Sequence, residues 1–448
     1  MNSSVIGNHD VGRVRGSSGT LANNYARADM TLPADVTAVD DADADGRHGE
    51  TITAVQWWGN KTWWETPDTW DTIDGTAWDF SDTGAWEWNA STGLPILRGL
   101  GQQNHEVLYN NITLPDNFTQ ENLQDAVNNI KPGGVITLPN IPGAAGMELD
   151  STITVDKKIT ITTPPEKNVT LTRPEAAFPA FTVESGGKLI LLPADDQTIT
   201  VRGDNEPYYI GGQPLIQVNA GGELEINNGV FITDTFTNNQ PAILVDGAGS
   251  KLTMNGGEIS NHTRYAPLRI LNGGSFVMSG GIITGNVNGN HSSGSVILVT
   301  GTDNSGNGSS FTMTGGEISG NITSSSPPGG GGAIRVNNNA SFIMEGGVIR
   351  NNYLRPDGVG AIGNGGAVYV QAGGTFRKTG NSIIYGIDAK DDLGADGKAN
   401  WNRVLEDGTG ADGSGHAVYI GGATPRFRDT TAGEDVDLDS GSDDGWGE

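Results

Sequence analysis

From about residue 180 to residue 420, apolar and polar positions alternate for four or five residues, stop at a Gly or Asn pair, and start again. The stretch "GSSFTMTGGEISGN", 308 to 321, shows the unit. Phe311 and Met313 alternate with Ser and Thr, Gly315-Gly316 breaks the run, and Ile318 resumes it. Near-copies begin at Gly249, Gly273 and Asn339, and weaker ones at Gly186, Gly221 and Gly373. Their leading apolar residues, Leu189, Leu224, Leu252, Phe276, Phe311, Phe342 and Phe376, are spaced 35, 28, 24, 35, 31 and 34 residues apart. A fixed unit with insertions of variable length is the mark of a solenoid. A second element precedes each copy: "AFTV" at Ala180, "LIQV" at Leu215, "AILV" at Ala242, "LRIL" at Leu268, "VILV" at Val296, "AIRV" at Ala333 and "AVYV" at Ala367, with an eighth, "AVYI", at Ala417.

Each repeat therefore predicts three short strands: the A-I-x-V piece, the F-x-M piece and the G-x-I-S piece. No helical pattern of ten residues occurs between Pro139 and Thr430. Three strands per turn, stacked turn on turn, define an all-β parallel β-helix with Ile, Val, Phe and Met inside. The same alternation puts Thr312, Thr314, Glu317 and Ser319 in water, because a slip of one residue would bury Glu317. In "LRIL", Arg269 falls where an inward Ile is expected, which predicts a local bulge or a packing shift. Glycines serve corners that need a positive φ, with Asn next best. Asn286, Asn321 and Asn352 each lie three residues after an inward Ile, so their amides are expected to bond along the axis at one corner.

Upstream, "TQENLQDAVNNIKPGGVITLP" from Thr119 sets Leu123, Ala126, Val127 and Ile130 on one helical face. Thr119 and Asn122 offer N-cap chemistry, and Pro132-Gly133-Gly134 is expected to end the helix before "VITL" starts the first strand. An amphipathic helix there is expected to cap the open end of the core. The division expected is 1–100 for a small Trp-rich β module, 101–118 for a linker, 119–428 for the capped β-helix and 429–448 for a disordered tail with eight acids and no bases.

Composition narrows the function. The chain has 448 residues, no Cys and a net charge of −27. Lack of Cys removes disulfides and thiol chemistry, and the acidic balance argues against nucleic acid as a partner. No run of 18 apolar residues and no basic-then-apolar leader occurs, so neither a membrane span nor a signal peptide is expected. The chain begins in mid-pattern, which suits a piece of a longer exported protein.

"FTMTGGEISGN" and "GGAVYV", with the "GGAI" at Gly331 and "GGAV" at Gly365, resemble the repeats of bacterial cell-surface proteins with a pectate-lyase-like, right-handed parallel β-helix, including adhesin-like passengers. "NLQDAVNNIKPGGVITL" is similar to the N-terminal cap of that superfamily. "VGRVRGSSGTLANNYARADM" resembles the GLUG-type repeat, and "GTAWDFSDTGAWEWNASTGLPILRGL" the Trp-rich segment that closes such arrays. The resemblance implies an extracellular or cell-surface, adhesin-like protein, with surface glycans or host and matrix proteins as partners. It is specific for the fold and says little about activity.

Three constellations carry candidate chemistry. Glu258 and Glu317 share the "GGEIS" motif and hence one outward column, as a pair of carboxylates for polysaccharide cleavage would require. Ile282 stands between them, and two turns put them roughly 9.6 Å apart, so a solvated face is the simpler account and no catalytic group is assembled. "DADADG" sets Asp41, Asp43 and Asp45 at positions one, three and five of an oxygen-ligand Ca²⁺ loop, with Glu50 two residues early for the closing carboxylate. An exposed acidic loop is the plain alternative, and no other cofactor is suggested. Residues 52 to 100 hold eight of the ten tryptophans; Trp57, Trp58, Trp63 and Trp64 are candidates for a sugar platform, while a core poor in aliphatic residues would use them equally well. The histidines, His262 among them, show no metal spacing.

Overall fold

The computed structural model describes residues 109–114, 119–139, 146–174, 177–203, 212–235, 240–289, 294–325, 332–356, 365–386, 393–395, 397, 400 and 402–404, with short elements at 25–27, 50–52, 61–65, 80–81, 86–89, 94–97, 418–420, 427–429 and 435–437. They fall into two units, 1–139 and 140–448.

In the second unit the A-I-x-V pieces make a parallel sheet of nine strands, one per turn, from Ile153–Val155 to Val418–Ile420. That is one turn more than the sequence pattern suggests. The extra turn, Ile153–Val155 followed by Lys158–Thr162, passes its corner through Asp156-Lys157 rather than a Gly pair. The F-x-M and G-x-I-S pieces pair in the same manner, each with its counterpart one turn away, as in Leu252↔Phe276↔Phe311↔Phe342↔Phe376. The long insertion before Gly308 holds no additional turn, since Phe276 and Phe311 are direct register partners. Within Ser310–Ser319 and Ser341–Arg350 the two pieces run as one strand through the Gly-Gly bend. In the later turns a fourth short strand follows the corner, giving the small sheet Val287–Asn288, Ile322–Ser325, Tyr353–Pro356 and Arg403–Val404. The result is a parallel β-helix with three strands per turn, locally four.

Apolar alternation explains the core. Phe311, Met313 and Ile318 are fully buried, as are their counterparts in the turns on either side. Phe311 lies 4.5 Å from Phe276 and 4.6 Å from Phe342, ring centre to ring centre, nearly parallel in both cases. Such close parallel stacking is not the arrangement ring quadrupoles prefer; the strand spacing of about 4.8 Å imposes it. The methionines form the next column inward from the bend. A Cβ added at Gly281, Gly316 or Gly347 would sit 2.6 Å from the methyl of Met254, Met278 or Met313, the methionine one turn earlier. These glycines also have φ between 82° and 86°, so backbone conformation and packing both demand glycine there.

Three of the four outward positions expected around Phe311 follow the same alternation. Thr312 and Glu317 are half-buried and Thr314 is exposed, but Ser319 is buried. It sits where the chain turns inward, and its carbonyl accepts from Asn321 Nδ2 at 3.1 Å. Arg269 makes no bulge. Leu268 and Ile270 point inward in register with Ile243 and Val245, and Arg269 points outward opposite Leu244. The motif simply begins one residue earlier in that repeat.

The corner after the G-x-I-S strand carries a buried polar ladder. Asn286 donates from both its backbone N–H and its Nδ2 to Asn321 Oδ1, at 3.1 and 2.9 Å; Asn321 repeats this with Asn352, and Asn352 with Asn402. Each Nδ2 also donates to the carbonyl of the inward Ile one turn before: Ile259, Ile283, Ile318 and Ile349. The residue ahead of each of the first three rungs, Gly285, Gly320 or Asn351, has φ between 51° and 66°. Sequence spacing identifies three rungs; Asn402 is a fourth, displaced by the long insertion after Gly386. His262 occupies the preceding rung. Its backbone N–H donates to Asn286 Oδ1 at 3.1 Å, its Nε2 meets the Ile232 carbonyl at 3.0 Å, and its Nδ1 receives the Thr235 N–H at 3.3 Å and lies 2.7 Å from the Thr235 hydroxyl. The imidazole thus mimics an asparagine amide: Nδ1 accepts as Oδ1 does, and Nε2–H donates as Nδ2 does. Those partners fix the neutral tautomer. Burial pushes the His262 pKa down to about 3, the Ile232 carbonyl opposes this, and the positive charge of buried Arg173 adds to the depression.

In the first unit, Gln120–Asn129 is a helix that buries Leu123, Ala126 and Val127, with Ile130 buried just beyond. Asn122 Oδ1 accepts the Thr119 N–H at 2.9 Å, closing the N-terminus. The strand that follows spans Ile130–Thr137, so it starts before Pro132-Gly133-Gly134 instead of after it. Those residues form a bulge against Tyr109–Thr113, where Tyr109 pairs with Ile130 but Asn111 pairs with Val135. Elsewhere in this unit Trp86–Asn89 and Leu94–Leu97 form a hairpin, and Trp88 meets Phe80 edge-on at 5.8 Å. Within the acidic stretch expected to be disordered, Asp435–Asp437 pairs antiparallel with Phe427–Asp429.

Two outcomes test these columns. Phe311→Ala removes a fully buried ring and is expected to cost about 3 to 5 kcal/mol, whereas Thr312→Ala is expected to cost under about 0.5 kcal/mol, both read from denaturant unfolding at neutral pH. Because the folded-state pKa of His262 lies below its ordinary value of 6.5, the unfolded chain binds the proton first. The stabilisation is complete above about pH 6.5 and is lost as pH falls toward about 3, at about 1.4 kcal/mol per unit. Between pH 7 and pH 5 the wild type is expected to lose roughly 2 kcal/mol more than His262→Asn, whose amide keeps both contacts and does not titrate.

Candidate functional site

The turns are regular inside, so any site must come from outward side chains and from corners that depart from the tight form. The outward column of the G-x-I-S sheet runs Thr200, Phe231, Glu258, Ile282, Glu317 and Val348. Glu258 and Glu317 do share this column. Ile282, 40% exposed, stands between them, and Arg350 Nε holds Glu317 Oε1 at 3.0 Å. The two carboxylates therefore face different neighbours across two turns, with an apolar residue in the gap.

Asp41, Asp43, Asp45, Trp57 and Trp58 lie outside the described residues. Glu50 opens the strand Glu50–Ile52, which pairs in parallel with Tyr25–Arg27, and Trp63 and Trp64 belong to the helix Lys61–Glu65; the three side chains lie outside the described residues. Among the described residues no three His, Cys, Asp or Glu side chains converge as a metal ion would need, and no helix is long and apolar enough to cross a membrane.

Two outward features were not apparent as sites in the sequence. The first is the outward column of the nine-stranded sheet: Leu244, Arg269, Leu298, Arg335, Tyr369 and Tyr419, in direct register. The Arg335 guanidinium lies 5.5 Å from the centre of the Tyr369 ring, and Tyr369 stacks on Tyr419 at 5.6 Å with the planes 3° apart. Arg335 Nε also donates to Asn337 Oδ1 at 2.9 Å. Burial lowers the Arg335 pKa, yet a guanidinium stays charged. Arg269 reaches the Tyr265 hydroxyl at 2.8 Å and lies over its ring at 5.3 Å. In a chain of net charge −27, this column brings two cations and two phenols together with two leucines, Leu298 being buried.

The second is a cleft of about 850 Å³ at the corner between the F-x-M and G-x-I-S strands, lined by residues 192–198, Asn227, Asn228, Gly229, Phe231 and Asn255. Its cause is a change in corner length. Leu192 to Thr198 makes a seven-residue corner, tied down by Ala194 N–H to Thr163 Oγ1 at 3.1 Å and Thr198 N–H to Asn168 Oδ1 at 2.9 Å. The next two turns pass the same corner at Asn227–Gly229 and Asn255–Gly257, leaving a ledge beneath the overhang. Phe231 is half-buried at an outward position, and Leu192 is 45% exposed. An aromatic residue in an outward register position, beside an unusually long corner, was the signal available in the sequence.

No family model matches the chain, and comparison with curated proteins and with solved structures finds no match either.

Proposed function

We propose that the chain is an extracellular, adhesin-like bacterial surface protein whose β-helix is a rigid display element without catalytic activity. The observation that carries this reading is the use made of the repeat. Column after column is spent on holding turns together, through the phenylalanine stack, the methionine–glycine contacts and the asparagine ladder. The outward carboxylates that could have formed a hydrolytic pair are separated by Ile282, and one of them is engaged by Arg350. A right-handed coil, a GLUG-type repeat and a closing Trp-rich segment complete the reading as part of a longer exported protein. Surface glycans or matrix proteins are its partners, and the Arg269-to-Tyr419 column is a surface fit for ligand display. The repeat resemblance supports this, as does the acidic balance.

A polysaccharide-active enzyme is the competing reading, motivated by Glu258 and Glu317 on one column. Incubation with a panel of neutral and acidic polysaccharides separates the two. Unchanged chain lengths after prolonged incubation are expected. Reproducible cleavage, abolished in Glu258→Gln or Glu317→Gln, would sink the display reading.

A further inference from the structure

The cleft under the Leu192–Thr198 corner holds both committed and uncommitted polar groups. Asp195 and Asp196 are exposed and their carboxylates accept no hydrogen bond among the described residues, and the exposed Asn228 amide makes none there either. In contrast, the neighbouring Glu225 is paired with Lys188 at 2.9 Å, and Asn227 and Asn255 bond to one another at 3.1 Å. Asp196 has φ of 61°, the left-handed region that aspartate tolerates better than most residues. Asp195 and Asp196 thus stand side by side on the overhang. Leu192 on the same corner and Phe231 of the next turn offer apolar surface, and among the described residues no basic side chain lines the cleft.

Carboxylates are acceptors only, while an amide is both donor and acceptor. Together they match a ligand rich in hydroxyl groups, which must donate to the one and exchange bonds with the other. An aromatic face and an aliphatic side chain match the C–H faces of a sugar ring. Two carboxylates with no base among the described lining disfavour a uronate or a sulfated sugar by like-charge repulsion. An open, half-apolar cleft with a few convergent polar groups is the usual form of a small-molecule site. We propose that this cleft binds a neutral saccharide, with Phe231 and Leu192 against the ring, Asp195 and Asp196 accepting from its hydroxyls and Asn228 bridging. The proposal rests on the display reading for its ligand class, a surface glycan, and gives that ligand a site that uses neither the Arg269-to-Tyr419 column nor the tryptophans.

The test is an array of neutral and acidic glycans probed with the whole chain, followed by calorimetry with the neutral oligosaccharides that score, and with an oligolysine peptide as a cationic competitor. Neutral glycans are expected to bind. Phe231→Ala and the double variant Asp195→Asn/Asp196→Asn are each expected to weaken binding about tenfold, the worth of a lost ring face or of charged hydrogen-bond acceptors. Thr312→Ala, at an outward position outside the cleft, is expected to leave it unchanged. Leu192→Ala, at a 45% exposed position, serves as a variant that does not threaten the fold, and a melting curve on each protein separates lost binding from lost structure. The proposal is overturned if no neutral glycan binds, if acidic glycans or oligolysine alone bind, or if binding survives all three cleft variants in folded protein. Retention of neutral-glycan binding together with proof of chain cleavage would remove the display reading and leave the cleft intact.

Discussion

Hydrogen bonding between identical positions of successive turns, repeated at about 4.8 Å, is the constraint from which the other features descend. Once strands stack in parallel and in register, each side chain meets its own counterpart. A column must then be filled by residues that tolerate themselves as neighbours. Phenylalanine, methionine and the aliphatic residues do so by dispersion, and asparagine does so because one amide presents a donor and an acceptor in line. Charged residues in such columns need an opposite charge within reach: Lys188, in register with Lys158, meets Glu223 and Glu225 of the following turn at 3.3 and 2.9 Å. Arginine needs a ring or an amide beside it, as at Arg335.

His262 shows how far the same constraint extends. An imidazole enters the asparagine ladder because its two nitrogens reproduce the geometry of the amide, and it can do so only while neutral. The cost of that substitution is sensitivity to acid at one rung of an otherwise pH-indifferent column. Arg173 adds to the same bias from a fully buried position, donating from Nη1 to the carbonyls of Phe178, Gln213 and Pro214 at 2.9 to 3.0 Å.

Legibility in the sequence followed repetition. Phe276, Phe311 and Phe342, the flanking methionines and three ladder asparagines could be read because each recurs with the same neighbours, so a period and an inward face follow from alternation alone. What repetition did not mark was lost. The first turn was missed because Asp156-Lys157 replaces the glycines. Asn402 was missed because an insertion separates it from its rung, and His262 because its residue type differs while its hydrogen bonds do not. Arg269 was placed inward because one repeat starts a residue early, and only pairing partners reveal such an offset. The cleft was hidden for a related reason: it arises from the difference between one corner and the next, and neither corner alone contains it.

The contact between each methionine methyl and the glycine of the following turn joins residues that belong to different repeats. The two halves of the fit are therefore inherited separately. Replacing a glycine in one copy strands a methionine in the copy before it, whereas duplicating or deleting one whole copy leaves every such pair matched. Rearrangement by complete turns is thus structurally silent where point change is not, and the solenoid can alter its length far more freely than the glycine bends that meet a methionine.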